Sequence, residues 1–144
     1  MPLIAKPIPL PPKNLKQTVV VQKKTAFKDQ NGLSLSQEQR IFSLNVSKLI
    51  QFIYSKGFAC TFAEAYRTPE QAAIYAEKRI GIKNSLHCKR LAVDLDLYSP
   101  AGKYIVNAED YEQFGKYWET LHSDNRWGGR FKIKDADHFE MQDL

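Results

Sequence analysis

An α+β domain, a small antiparallel sheet with flanking helices, is the fold class this sequence predicts, on three observations. Segments of helical and of strand periodicity alternate from about residue 33 onward, and the strand-like segments are short. The whole chain, at 144 residues, is the size of one ordinary domain. Short strands in so little chain favour a small antiparallel sheet over a doubly wound parallel one.

Taken in order, Asn31-Gly32 makes a turn and residues 33–57 then read as a helix. Ser36 with Gln39 supplies a capping box, Ile41, Val46, Leu49, Ile50 and Ile53 recur at helical spacing, and Gly57 supplies the stop. FACTFAEAY follows as a strand with Phe58, Cys60, Phe62, Glu64 and Tyr66 on one face. A second helix starts at the cap Thr68 with Pro69 in its first position and Gln71 completing a box, and it ends near Gly81. Leu91 to Tyr98 alternates as a strand, SPAGK is a turn, and Tyr104-Ile105-Val106 is a short extended piece. Asn107 caps a third helix that turns Tyr111, Phe114, Trp118 and Leu121 inward. DNRWGGRF reads as a Gly-rich loop, and a closing strand lies around DHFEM.

The first dozen residues hold Pro2, Pro7, Pro9, Pro11 and Pro12, so residues 1–30 read as a flexible extension and residues 31–144 as the folded domain. That extension also carries the whole charge excess. Its first 24 residues contain five lysines and no acid, while the other 16 basic side chains balance the 16 acidic ones. Such an arm suits an anionic partner, whether lipid headgroups, nucleic acid or an acidic cell-wall polymer, or it is simply solvated. No apolar run approaches the roughly 18 residues of a membrane span, and the prolines break the pattern of a secretory signal. Cys60 and Cys88 alone make no disulfide framework and read as buried or incidental thiols.

The chemistry lies with the histidines. His122 ends the third helix, where an imidazolium meets the carbonyl end of the dipole, and reads as structural. His87 precedes the strand that carries Asp94, and His138 lies among Asp135, Asp137 and Glu140. Two histidines and a carboxylate from separate segments make the ligand count of a catalytic zinc site with one position left for water. A general base is then needed. Asp135, three residues before His138, can face the open position; Asp137 points to the other side of an extended strand; Glu140 shares His138's face and suits the orientation of an imidazole.

SLHCKRLAVDLDLY resembles the SxHxxGxAxD signature of the M15 zinc peptidases, the D-Ala-D-Ala carboxypeptidase and L-alanyl-D-glutamate endopeptidase family, and DADHFE resembles its closing (D/E)xxH motif. EAYRTPEQ is similar to the family's upstream arginine block, and the three blocks occur in the family's order. SLHxxRLAVDL, NRWGG and HFEM together resemble the short endolysins of phages and prophages. The resemblance implies the Hedgehog/DD-peptidase-like zinc peptidase fold. It implies one Zn2+ ion held by His87, Asp94 and His138, with Asp135 as catalytic base and Arg67 as the donor to the oxyanion. Ser85 matches the motif serine and bonds either substrate or loop backbone. Trp127, beside Gly128 and Gly129, either stacks on substrate or closes the core at a tight turn. Arg90 replaces the family's usual glycine and is expected to narrow or charge the rim of the cleft; Asp96 is expected at the rim or behind the ligands.

The function so implied is zinc-dependent hydrolysis of the peptidoglycan stem peptide at the L-alanyl-D-glutamate bond. The alternatives are a D,D-carboxypeptidase or dipeptidase releasing D-Ala, and a non-enzymatic zinc-binding module with a basic tail. The expected setting is a monomer made in the host cytoplasm without a signal peptide, with no nucleic-acid partner. It would reach the periplasm or cell wall through a separate holin and act there in phage lysis, or as an antibacterial effector.

Overall fold

The computed structural model describes residues 32–143. The expected extension, residues 1–30, lies outside them. The elements run α1 (Leu35–Ser55), β1 (Ala59–Glu64), α2 (Pro69–Glu77), β2 (Ala92–Tyr98), β3 (Tyr104–Ile105), α3 (Ala108–Leu121), β4 (Asn125–Trp127) and β5 (His138–Met141). Two 3-10 turns, Leu86–Lys89 and Gly128–Arg130, complete the set. The strands form one antiparallel sheet in the order β1-β2-β5-β4, with β3 paired to β2. This is the α+β architecture the sequence predicts. No helix among the described residues is long and apolar enough to cross a membrane.

Helix α1 is capped two residues earlier than the sequence suggested. Two overlapping S-x-x-Q pairs are present, and the box forms on Ser34 and Gln37: Ser34 Oγ accepts from Gln37 N–H at 3.2 Å while Gln37 Oε1 accepts from Ser34 N–H at 2.8 Å. The expected Ser36–Gln39 pair is not used. Gln39 reaches across instead, its Nε2 donating to the Lys89 carbonyl at 2.8 Å, which ties α1 to the turn after His87. Helix α2 starts as expected on Thr68, whose hydroxyl accepts from Gln71 N–H.

The core lies on one face of the sheet. Phe42, Val46, Leu49 and Ile53 of α1 and Tyr111, Phe114 and Trp118 of α3 cluster with Val93, Leu95, Leu97, Phe139 and Met141 of the strands. Each such side chain contributes about 1.5–3 kcal/mol by leaving water. The polar tips of the large rings are satisfied. Tyr111 Oη donates to the Leu95 carbonyl at 3.0 Å and accepts from Leu97 N–H at 3.1 Å, and Trp118 Nε1 reaches the Glu140 carbonyl at 3.0 Å.

The segment DNRWGGRF is not a loop. It contains β4, paired to β5, and a 3-10 turn. Trp127 is the reason: its ring is buried between Gly115 of α3 and Gly129, at both of which a Cβ would enter the ring, and its Nε1 donates to the Ala136 carbonyl at 2.7 Å. Cys60 and Cys88 are both free thiols.

Candidate metal centre and cleft

Because side chains alternate along a strand, the residues between the core positions of β2 and β5 face away from the helices. On β2 these are Asp94 and Asp96, and on β5 they are His138 and Glu140. The register sets Asp94 directly opposite His138, so two candidate ligands from residues 44 apart in sequence meet across one strand pair. His138 Nδ1 lies 2.9 Å from Asp94 Oδ1.

His87 arrives from the 3-10 turn before β2. Ser85 caps that turn, its hydroxyl accepting from His87 N–H at 3.2 Å, so the motif serine bonds loop backbone. The cap fixes the imidazole with Nε2 at 3.3 Å from Asp94 Oδ1. Ligand atoms of His87, Asp94 and His138 all lie within 4.8 Å of one another, the arrangement of residues able to hold a metal ion.

The donor chemistry fits a divalent ion with a nitrogen preference. His138 Nε2 is 2.8 Å from Glu140 Oε2, so the ring donates on that side and Nδ1 faces Asp94, the nitrogen that would give up its proton to an ion. Glu140 is buried and is held in turn by Arg126. His87 Nδ1 is buried without a partner among the described residues. Burial opposes the charge on Asp94, but its bonds to His138 and His87 outweigh that cost and hold it down to about 2. Burial would likewise lower His138, yet the carboxylates of Asp94 and Glu140 raise it to about 9.

The cluster forms the floor of an open cleft of about 710 Å3. Asp135 lines it with an exposed carboxylate, its Oδ2 3.9 Å from His138 Nδ1. Gly128 sets that distance. Its carbonyl accepts the Asp135 N–H at 2.9 Å, and a Cβ there would collide with the Asp135 carbonyl. Asp137 does not line this cleft; burial and the neighbouring Asp135 carboxylate push it up to about 7. Arg67 also lines the cleft, with its N–H bonded to the His87 carbonyl.

Of four other residues read from the sequence, Arg90 and Asp96 fall elsewhere than expected, while Trp127 takes its core alternative and His122 its structural place. Trp127 presents no face to a ligand, because it is buried as described. Arg90 does not line the cleft: it takes a left-handed backbone (φ 54) after the His87 turn and lays its guanidinium over Tyr66 at 4.4 Å. That φ is the reason glycine suits the position. Asp96 bonds the Tyr104 hydroxyl at 3.2 Å, away from the cluster. His122 ends α3 as a structural residue, its Nδ1 accepting from Asp124 N–H at 3.1 Å. Sequence reasoning passed over Glu64 and Arg126, whose partners Arg67 and Glu140 it had found. The spacing of Glu64 three residues before Arg67 was the only signal for the first, and nothing local announced the second.

The family model described as D-alanyl-D-alanine carboxypeptidase matches residues 79–141, which hold the three candidate ligands and Asp135 but not Arg67. The crystal structure of the Serratia marcescens L-Ala D-Glu endopeptidase ChiX is similar in fold, with a TM-score of 0.57 at 19% identity over 74% of this chain and 85% of that one. A mutant of the vancomycin-resistance D,D-pentapeptidase VanY from a VanB-type cassette, in complex with Zn(II), matches with a TM-score of 0.48 at 18% identity over 71% of this chain and 70% of its own. No curated protein sequence matches.

Proposed function

We propose that this chain is a zinc peptidase of the D-alanyl-D-alanine carboxypeptidase (M15) type, as the family match over residues 79–141 supports, and that it hydrolyses the peptidoglycan stem peptide at the L-alanyl-D-glutamate bond, using one Zn2+ held by His87, Asp94 and His138. The observation that carries this reading is the meeting of Asp94 and His138 across one strand pair, with His87 beside them, on the floor of an open cleft. An open cleft lets a chain pass on both sides of the reacting bond, as an endopeptidase requires.

When bound, the ion supplies Lewis acidity toward a carbonyl oxygen and lowers the pKa of water to about 7. The chain's own groups do the rest. Asp135 takes the proton of the attacking water and passes it to the leaving amine. Arg67 directs N–H donors at the carbonyl oxygen as negative charge builds there. Glu140 holds His138 in the tautomer that leaves Nδ1 free, and Ser85 holds the turn that carries His87. The setting that goes with this chemistry is bacterial lysis by a phage or prophage enzyme released through a pore made by another protein.

The family description favours a second reading, removal of a terminal D-Ala. Digestion of a defined muropeptide, read by mass spectrometry, separates the two: a new N-terminal D-Glu means the first, loss of one D-Ala the second. Asp135→Asn is expected to keep its full zinc content by elemental analysis and to lose turnover by about 10²–10⁴-fold. Wild-type turnover by that variant would show that the base is another group.

A further inference from the structure

Arg67 is built into its wall by neighbours from four segments, two of which, Glu64 and Tyr75, meet its guanidinium. Glu64, at the end of β1, takes it bidentately: Nε to Oε1 at 2.6 Å and Nη2 to Oε2 at 2.8 Å. Tyr75 of α2 lies with its ring 5.0 Å from Cζ. Gly81 leaves room beside Nη1, since a Cβ there would stand 3.6 Å from it and 3.0 Å from Tyr75 Cβ. The Arg67 N–H is bonded to the His87 carbonyl at 3.3 Å.

Counting donors shows what this cage accomplishes. A guanidinium has five N–H groups in a fixed plane. Glu64 consumes the Nε–H and one on Nη2, which fixes the plane and leaves both Nη1 hydrogens and one on Nη2 in a known direction along the cleft wall. Without Glu64 the long side chain is free to swing, and Asp94, the register partner of Glu64 across β1 and β2, is the nearest competing anion of the metal cluster. A guanidinium that moved onto Asp94 would both lose its aim and compete for a ligand. The Arg67 bond in turn holds the Glu64 carboxyl below its ordinary range, which favours the ionised pair.

We propose that Glu64 is a positioning residue that acts through Arg67, aiming the guanidinium at the carbonyl oxygen of the scissile bond and keeping it off Asp94, with Tyr75 closing the other side. This rests on the reading of Arg67 given above. It concerns turnover and not substrate affinity, because the oxygen carries its full charge only in the transition state.

The test is a double-mutant cycle on the zinc-loaded full chain with a defined muropeptide, with zinc content and melting temperature measured for every variant. Arg67→Ala is expected to lower kcat by about 10²–10³-fold. Glu64→Gln is expected to lower kcat by about 10-fold with KM and zinc content unchanged, and Glu64→Asp to recover part of it. In the Arg67→Ala background, Glu64→Gln is expected to do nothing further. A Glu64→Gln loss that persists in that background, or that tracks a loss of zinc, overturns the proposal. Wild-type kcat in Arg67→Ala overturns instead the role of Arg67 on which it rests. Tyr75→Leu is the second probe: a several-fold drop in kcat with unchanged zinc supports the cage, and wild-type kcat removes Tyr75 from it.

Discussion

At the scale of single residues, the site is a set of carboxylates given different work by their neighbours. Asp94 sits between two imidazoles, Glu140 backs one of them, Glu64 is spent on Arg67, and Asp135 is the exposed one of these four. Exposure is what leaves Asp135 free to exchange a proton with water. Glu140 is the most telling of the others, because it takes up His138 Nε2 and leaves Nδ1 as the nitrogen that faces Asp94. Glu140→Gln keeps the volume and removes the charge that fixes that tautomer. Its zinc affinity is expected to fall by about 10–100-fold in competition with a chelator, with the fold intact by circular dichroism. Unchanged affinity would mean that the His138 ring is oriented by packing alone.

At the scale of elements, close approach of backbone to side chain sets the geometry. Helix α3 and β4 meet through the Trp127 ring, for which Gly115 and Gly129 make the slot. Gly115→Ala puts a methyl group into that ring and is expected to cost about 1–3 kcal/mol in urea denaturation, since neither the helix nor the buried indole can retreat. The turn after His87 makes the opposite case. Arg90 there holds a left-handed conformation that costs an L-residue about 1 kcal/mol, and it recovers a comparable amount by stacking on Tyr66. Arg90→Gly removes both terms. Its stability is therefore expected to stay within about 1 kcal/mol of the wild type, with kcat/KM on muropeptides unaltered. A large change in KM would place Arg90 at the substrate after all.

At the scale of the whole molecule, the metal cluster couples folding to pH. In the chelated protein His138 is raised to about 9 from 6.5, so its contribution is complete below 6.5 and is lost as pH rises through about 9. Asp94 is lowered to about 2 from 3.8, so its contribution is complete above 3.8 and is lost as pH falls through about 2. Both describe the same ion pair and count once. The chelated protein is thus expected to be most stable between those limits and to lose roughly 3 kcal/mol between pH 6 and pH 9.5. Zinc reverses the trend over that range, because it must displace the proton from His138 and binds more tightly as pH rises. Denaturation curves with and without chelator at the two pH values check both signs, and parallel pH dependences would sink the linkage.

The sequence by itself determined the fold class, the order of the elements and the types of residue available for a metal centre. These are local properties: helical and strand periods, caps and stops, and motifs in which His87 and Asp94, or Asp135 and His138, are a few residues apart. It was less able to say where α1 starts, because two S-x-x-Q boxes overlap and only the reach of Gln39 to the Lys89 carbonyl separates them. It left Trp127 open between substrate and core, since a ring beside two glycines suits either, and the glycine that settles the matter, Gly115, lies in another helix. Tertiary structure alone decided the register that sets Asp94 against His138, the placing of Arg90 on Tyr66 and the capture of Arg67 by Glu64. Register is a sum over every side chain on both faces of the sheet. Slipping it by one residue would carry His138 and Glu140 into the core and Phe139 and Met141 into the cleft, and the burial of the apolar set forbids it.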